Sequence, residues 1–539
     1  ALQTVTGEKA DLGRGKTRLS YSDAKRQDKY RQAFSDDGTK KKGEYPYFEE
    51  MGFESVIVDE GHHFKNSYSA GKESEKIEFL SNPAVSQRAM YIAMKMSYLR
   101  DNNNDRGPVI LTATPVTNSP LEIFNMLSLV IPIEEFERYG VYTADDFVRV
   151  FGQVESIQKA TLSGEIVTRD GLTGFKNLDG LRSLFHRYTL MKNMDDLKSE
   201  GKALTVDAPE ADVKHVPVAL SEEQDAIYDE LRDLAKEASK PKSEIQIFSV
   251  LRDMERVTTD LDLFNKTITF VFPANKKTAV ESLMQEMPER TETKEFDPEA
   301  GKNVVVAVDL DYEITEHGDT VKLVLPDAFE DSVVDRLVSH GLEEHASHPI
   351  SPKYAAMLEN LRIGLEGGGK QIIFTDEKTQ HRKLARIISH HLGIDRNQVG
   401  LINGEDAKGK KLQRIADAYN SGKLKIVIAN KKAEVGVNLQ KGTSDIHHLT
   451  LPWTPAALQQ RNGRGVRQGN TLKTVRVHYY LGKGSIDEYR LQSLQRKSSW
   501  MRDLFNGNAS EAENGNAALD DFSDAFEKDP EEAKRKRME

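Results

Sequence analysis

Two adjacent carboxylates, Asp59 and Glu60, directly follow an apolar stretch that begins near Phe53. Because such a stretch is typical of a buried strand, we expect the pair at the carboxyl end of that strand, where open α/β sheets bind ligands. There, one carboxylate can hold a hydrated Mg²⁺ while its neighbour orients or deprotonates an attacking water molecule. A solvated surface turn is the alternative interpretation of the same two residues.

Hydroxyl and guanidinium groups recur further along the chain. Thr112 and Thr114 end the next apolar segment, which begins at Pro108. Arg464 and Arg467 are three residues apart, so a helical turn places both on one face. Such a pair suits the stabilisation of charge on a phosphoryl group in transfer. Taken singly, each feature is also compatible with an ordinary polar turn.

An ATPase needs a glycine-rich loop and a lysine around the phosphates. The segment Ala10 to Thr17, which contains Lys16, departs from the full pattern only in having Ala10 in place of glycine. No apolar strand precedes it, and too few residues separate it from Asp59 for the helices and strands that normally intervene. We interpret this segment as a decoy and expect the true phosphate loop N-terminal to Ala1.

The composition excludes several classes of protein. The chain has 539 residues, of which 38% are hydrophobic and 30% are charged, so several folded domains are expected. Because there is no cysteine, disulfides, thiol nucleophiles and cysteine zinc sites are excluded. No uninterrupted apolar run is long enough to predict a membrane span. The net charge of −11 argues against a wholly basic surface but permits one basic groove.

Apolar patterns predict two parallel α/β regions. The first has a strand at 53–59, a helix at about 84–99 and a strand at 108–112, and helical patterns dominate from 121 to about 234. Strand-like segments at 268–272, 304–308 and 321–325 predict an inserted α+β subdomain. The second α/β region is predicted from strands at 371–375, 425–429 and 475–481 and a helix at 380–392.

Several motifs, in order, carry a resemblance to superfamily-two helicases. Segments 59–62, 112–115 and 460–467 resemble motifs II, III and VI of that superfamily. The chain resembles the Swi/Snf-type branch of that superfamily more closely, and this resemblance lies in segments 59–66, 187–192, 216–228, 351–353, 433–439 and 452–455. The segment from Tyr47 to Asp59 is similar to sequence in a group of phage and plasmid proteins that join an adenine-methyltransferase region to such a helicase. This group includes the defence-against-restriction protein B proteins.

The resemblance implies an α/β fold with two RecA-like parallel-sheet lobes, the first incomplete, with helical protrusions and an inserted α+β subdomain. The boundaries expected are a polar N-terminal segment at 1–45, lobe 1 with a protrusion at 46–200, a linker and second protrusion at 201–266, the insert at 267–345, lobe 2 at 346–505 and an acidic, flexible tail at 506–539.

The resemblance also implies roles for individual residues, with ATP and Mg²⁺ as cofactors. Asp59 would hold Mg²⁺ through water, and Asp59, Glu60, Arg464 and Arg467 would be catalytic. The residues expected to bind the nucleotide are His62, Thr112, Thr114, Gly436 and Gln460. Those expected to contact double-stranded DNA are Lys65, Arg187, Lys192, Lys431, Lys432 and Arg461.

Two functions follow from these features. The first is an ATP-dependent double-stranded DNA translocase module of a phage-type antirestriction or DNA-remodelling protein. The alternative is a processed, catalytically inactive fragment of the motor fold with a structural or binding role, carried in a virion. Expected partners are DNA, an N-terminal companion fragment or virion proteins, and the expected location is the host cytoplasm, without a membrane.

Overall fold

The computed structural model describes residues 48–506 and 512–513, except for gaps at 69–70, 72–73, 75–76, 79, 81–84, 114–120, 161–165, 193–207, 239–244, 298–301 and 408. These residues form two compact units. The first contains residues 48–192, 454–456, 493–506 and 512–513, and the second contains residues 208–453 and 457–492. The glycine-rich segment 10–17 lies outside the described residues.

The first unit begins with a two-stranded parallel sheet. Strand β1 (Val56–Val58) pairs with β2 (Pro108–Ile110), and helix α1 (Gln87–Asn102) connects them. Helix α1 begins where the side chain of Ser86 accepts a hydrogen bond from the backbone nitrogen of Ala89, which satisfies one of the free donors of the first turn. The predicted strand–helix–strand order is therefore present.

One face of this small sheet is covered. Val58 is buried against Met96 and Leu99 of α1. On the opposite face, Ile57 is 66% exposed and its cross-strand partner Val109 is 41% exposed. Parallel sheets normally bury both faces, whereas in the described part of the chain this face of the β1–β2 sheet is exposed.

The rest of the first unit surrounds an aromatic core that includes Phe124, Phe136 and Phe147. Its elements are α2 (Leu121–Val130), α3 (Ile133–Glu137), α4 (Ala144–Phe151), the antiparallel hairpin of β3 (Gly152–Ala160) and β4 (Ile166–Phe175), and α5 (Leu178–Tyr188). The prediction of a mainly helical segment overlooked this hairpin, whose strands are stabilised by their mutual pairing.

The second unit opens with β5 (Glu210–Val218), α6 (Glu222–Ala238), α7 (Ile247–Thr259) and α8 (Leu261–Asn265). Helix α6 starts with reciprocal hydrogen bonds, because the Ser221 hydroxyl accepts from the backbone nitrogen of Gln224 and the Gln224 side chain accepts from that of Ser221. Helices α6 and α7 pack together through an apolar cluster that includes Tyr228 and Met254.

An α+β subdomain follows, as predicted. Its elements are β6 (Thr267–Pro273), α9 (Lys277–Gln285), β7 (Arg290–Asp297), β8 (Lys302–Asp309), β9 (Glu313–His317), β10 (Thr320–Pro326) and α10 (Glu330–Ser339). Strands β6, β10 and β9 form an antiparallel sheet in that order, and β7 and β8 form a separate antiparallel pair. Side chains such as Phe270, Leu323 and Leu337 fill the core of this subdomain.

The large sheet of the second unit has six strands, all parallel, in the order β12-β13-β11-β14-β15-β5. The strands and helices of this region are α11 (Pro352–Glu366), β11 (Lys370–Phe374), α12 (Gln380–Leu392), β12 (Val399–Ile402), α13 (Lys410–Asn420), β13 (Ile426–Ala429), β14 (Thr443–His448), α14 (Pro455–Asn462), β15 (Thr474–Gly482) and α15 (Ile486–Asn506), of which residues 486–492 belong to the second unit.

Two strands lie in ranges that the sequence analysis assigned differently. Strand β5, within the range assigned to a linker and protrusion, pairs with β15 along its whole length and forms one edge of the six-stranded sheet. In the tail, the two-residue strand β16 (Ala512–Glu513) pairs with β4 of the first unit. In the part of the chain that the structure describes, no helix is long and apolar enough to cross a membrane.

Buried ion pairs attach the α+β subdomain to the large sheet. The ammonium group of Lys383, on α12, lies 2.6 Å from Asp260 and 2.7 Å from Asp262, and the Asp262 carboxylate accepts a hydrogen bond from Thr269 on β6. Burial raises the pKa of Asp260, whereas at Asp262 the effect of burial is outweighed by Lys383, which lowers the pKa. The lysine is therefore the cation on which two buried carboxylates depend.

Replacing this cation tests the attachment. We expect Lys383→Met to lower the free energy of unfolding by about 3 to 5 kcal/mol, because it leaves two buried carboxylates unpaired. Urea denaturation measures the change. Lys378→Met is the matched control, since the ion pair of Lys378 with Glu405 is exposed and such pairs contribute at most about 1 kcal/mol. Equal losses in the two variants would contradict the assignment.

Candidate functional site

The acidic motif lies directly after β1. The backbone turns sharply at Glu60, which has a φ of 51°, and Gly61–Phe64 then form one turn of 3₁₀ helix. Asp59 is exposed, and its Oδ1 accepts a hydrogen bond of 2.9 Å from the backbone nitrogen of Glu60. A left-handed φ at a residue other than glycine is uncommon and marks a conformation that the surrounding structure imposes.

His62 connects this motif to the end of β2. Its Nδ1 lies 3.0 Å from Oγ1 of Thr112 and 3.3 Å from Oε2 of Glu60. Burial, together with the neighbouring His63 and Lys65, lowers the pKa of His62 to about 4. The imidazole is therefore neutral near pH 7, and the predicted residues Glu60, His62 and Thr112 are brought together.

Gly61 sets the distance between the two strand ends. Its backbone nitrogen donates to the carbonyl oxygen of Leu111 at 2.9 Å. A β-carbon at this position would lie only 2.1 Å from Cγ2 of Ile110, so no larger residue fits without movement.

We therefore expect Gly61→Ala to lower the free energy of unfolding by about 1 to 3 kcal/mol through overpacking against Ile110. Differential scanning calorimetry provides the measurement. Gly404→Ala serves as the control, because nothing lies within 4 Å of a β-carbon built there, and a change below about 0.5 kcal/mol is expected. An unchanged unfolding temperature for Gly61→Ala would refute the close approach.

The carboxylates fit a hydrated Mg²⁺. Oε2 of Glu60 is buried, and although Nδ1 of His62 lies 3.3 Å away, the oxygen accepts no hydrogen bond from the described residues, a state that costs free energy unless a ligand reaches it. Mg²⁺ prefers oxygen ligands and usually takes only one or two carboxylates, with phosphates and water completing its shell. Exposed Asp59 beside Glu60 offers that number.

The basic residues predicted to bind DNA in the first unit differ in their surroundings. The ammonium group of Lys65 lies 2.8 Å from the buried carboxylate of Glu122, on α2. Arg187, at the end of α5, remains 59% exposed in its side chain and lies 3.3 Å from Glu135. Lys192 is exposed. Thr114, predicted to bind the nucleotide, lies outside the described residues.

In the second unit, the arginines of α14 and the turn after it contact the segment 434–438. A guanidinium nitrogen of Arg464 donates to the carbonyl oxygen of Val437, and one of Arg467 donates to Oδ1 of Asn438 at 3.1 Å. Arg467 is exposed and Arg464 is half-buried. Gly436, which has a φ of 74°, lies within this segment, so the predicted Gly436, Arg464 and Arg467 are close together.

Gln460 and the two lysines complete the set in this unit. Nε2 of Gln460 is buried without a hydrogen-bond partner among the described residues. Lys431 and Lys432 are exposed on a 3₁₀ turn at the carboxyl end of β13. This turn is capped by Asn430, whose side chain accepts a hydrogen bond from the backbone nitrogen of Lys432. Both lysines are therefore held at the edge where parallel sheets bind ligands.

Arg461 differs from the other predicted DNA contacts. Its side chain is only 2% exposed, and it lies 2.8 Å from Glu434 and 2.7 Å from Asp376. This burial disfavours a direct contact with a phosphate. Neither carboxylate is among the residues predicted from the motifs, although Asp376 directly follows the strand predicted at 371–375, a signal that could have identified it.

The comparisons with known proteins agree with these motifs. The family described as "Probable helicase domain" matches residues 18–193, and "Helicase conserved C-terminal domain" matches residues 353–469. "Defense against restriction protein B" of Escherichia phage P1 is 41% identical to this chain over 551 residues. The chain is therefore a helicase-like protein. The matched region covers 90% of this chain and 24% of the phage protein, so the chain spans about a quarter of that relative.

Two further proteins similar to this helicase-like chain cover most of its length. "Uncharacterized ATP-dependent helicase YqhH" of Bacillus subtilis is 22% identical, over 83% of this chain and 58% of that protein. Among solved structures, "Sulfolobus solfataricus SWI2/SNF2 ATPase core in complex with dsDNA" has 17% identity and a TM-score of 0.32, over 86% of this chain and 71% of that one.

Proposed function

We propose that this chain is the motor module of an ATP-dependent double-stranded DNA translocase, within a phage-type antirestriction or DNA-remodelling protein. The observation that carries the proposal is the linked group of Asp59, Glu60, His62 and Thr112 at the carboxyl ends of β1 and β2. It combines oxygen ligands for a metal with a half-buried carboxylate suited to act on water.

Each residue has a stated role in this proposal. Asp59 would hold Mg²⁺, which when bound would neutralise phosphate charge. Glu60 accepts a hydrogen bond or a proton from the attacking water, and neutral His62 keeps the Glu60 side chain in place. Arg464 and Arg467 donate hydrogen bonds to the phosphate oxygens, on which negative charge increases during transfer.

The same proposal divides the basic residues into two groups. Lys431, Lys432, Arg187 and Lys192 are accessible and would contact DNA phosphates, independently of base sequence. The side chains of Lys65 and Arg461 are only 18% and 2% exposed and are held by carboxylates, so we assign them to packing rather than to DNA contact.

Binding to DNA is the first test. We expect the chain to bind duplex DNA with an affinity that falls steeply with salt, and the variant Lys431→Ala/Lys432→Ala to lose about 0.9 per lysine from the slope of log K against log salt. Fluorescence anisotropy at several salt concentrations measures this slope. Lys423→Ala/Lys441→Ala is the matched control, because these lysines are exposed at the amino ends of β13 and β14. Equal effects of the two variants would contradict the assignment.

Turnover of ATP is the second test. We expect Glu60→Gln and Arg467→Ala each to reduce the kcat of DNA-dependent ATP hydrolysis by about 10² to 10³. This expectation applies to the chain alone or to a chain extended upstream, whichever of them hydrolyses ATP. A coupled phosphate-release assay measures kcat. Lys16→Ala should change nothing, because we interpret residues 10–17 as a decoy, and Glu54→Gln is the control for an exposed carboxylate near the motif. Robust hydrolysis that depends on Lys16 would overturn this interpretation.

The alternative, an inactive fragment with a structural or binding role, is favoured by one observation. Ile57 and Val109 leave an apolar face of the β1–β2 sheet exposed in the described part of the chain. On this proposal a companion segment, or virion proteins, would cover that face. Absence of turnover in the chain extended upstream, with DNA binding retained, would favour the alternative.

A further inference from the structure

Arg461 connects four elements of the second unit from inside the protein. Its Nε donates to Glu434 at 2.8 Å, one terminal nitrogen donates to Asp376 at 2.7 Å, and the other donates to the carbonyl oxygen of Thr450 at 3.3 Å. The guanidinium carbon lies 5.4 Å from the ring centre of Phe374. One side chain on α14 thus contacts the residues that follow β11, β13 and β14.

The contact with Glu434 is the first of three along the same helix and turn. At intervals of three residues, Arg461 contacts Glu434, Arg464 contacts the carbonyl of Val437, and Arg467 contacts Asn438. The segment 434–438 therefore lies alongside the arginine face. The exposed Lys431 and Lys432, here called the DNA-side lysines, precede Glu434 by only three and two residues. The short segment 431–438 therefore carries these lysines and the contacts of Arg464 and Arg467, here called the finger arginines.

We propose that Arg461 is a positioning residue, which holds the segment 431–438 against α14 through Glu434 and Asp376, so that the DNA-side lysines and the finger arginines move together. This inference rests on the proposed function, because it assigns DNA contact to Lys431 and Lys432. This positioning role takes the place of a direct contact between Arg461 and a DNA phosphate, because the burial of the Arg461 side chain disfavours such a contact.

The chemistry of the side chains explains why arginine occupies this position. The rigid guanidinium presents five donors in a plane, and here they reach two carboxylates and one carbonyl in different directions. An ammonium group is a point charge and cannot reach all three at these distances. Burial raises the pKa of Glu434, and Arg461 opposes that rise, so the glutamate depends on this partner to stay charged.

Replacing Glu434 gives results of opposite sign for the two interpretations. Glu434→Gln removes a negative charge close to the DNA-side lysines, so a purely electrostatic effect would strengthen DNA binding. If Glu434 positions those lysines through Arg461, the same substitution weakens DNA binding by about five- to tenfold at low salt. It also lowers the slope of log K against log salt by the amount expected for the loss of roughly one phosphate contact. Glu405→Gln is the control, since Glu405 is an exposed carboxylate paired with Lys378, after β12 at the same edge of the sheet.

Fluorescence anisotropy of duplex DNA titrated with the 539-residue chain measures the binding affinity and its salt slope. Thermal unfolding checks that each variant is folded. We expect Glu434→Gln to have no further effect in a Lys431→Ala/Lys432→Ala background, because it acts through those lysines. Arg461→Lys should weaken binding as Glu434→Gln does, and the two together should be no worse than either alone. If Glu434→Gln does not fold, Asp376→Asn tests the same connection.

The outcomes separate the two proposals. Binding by Glu434→Gln that equals or exceeds that of the unmodified chain would overturn the positioning role, and so would a loss of equal size in the lysine-free background. An unmodified chain that shows no salt-dependent DNA binding, or one in which the two lysines are neutral, would instead refute the proposed function from which this inference starts.

Discussion

In both units, the residues that carry chemistry follow parallel strands, and the carboxyl ends of parallel strands meet at one edge of a sheet. Asp59 and Thr112 follow β1 and β2, and in the second unit Asp376 and Lys431 follow β11 and β13. This constraint brings together residues that are far apart in sequence. Because these residues follow the strands, their backbone is not held by strand pairing and can turn. The left-handed φ of Glu60 and the capped turn after β13 are local consequences of it.

Buried ion pairs hold the elements around the six-stranded sheet. Lys353 on α11 lies 2.6 Å from Asp487 on α15, Lys383 on α12 reaches two carboxylates before the insert, and Arg461 connects α14 to three strand ends. Each cation is almost fully buried, so the loss of any one would leave a carboxylate without compensation. The second unit therefore depends on charge pairing as well as on its apolar core.

The net charge is distributed unevenly along the chain. The α+β insert, residues 267–345, has 18 acidic and seven basic residues, a surplus of 11 that equals the net charge of the whole chain. The remaining residues are therefore balanced overall, and contact with DNA phosphates depends on where particular lysines lie rather than on total charge. The sequence predicted this insert as α+β because its strand-like segments are separated by charged turns, but its attachment through Asp262 and Lys383 joins residues 121 positions apart.

The sequence by itself determined the parallel α/β class, the positions of most strands and the similarity to helicases, because those features depend on short contiguous patterns. It also selected Glu60, His62 and Thr112, which the fold brings within hydrogen-bond distance. Only the tertiary structure decided that Arg461 is buried between Glu434 and Asp376, which lie 27 and 85 positions away. The reason is physical: the burial of a charged side chain depends on partners from distant segments, and no local pattern of residues specifies them.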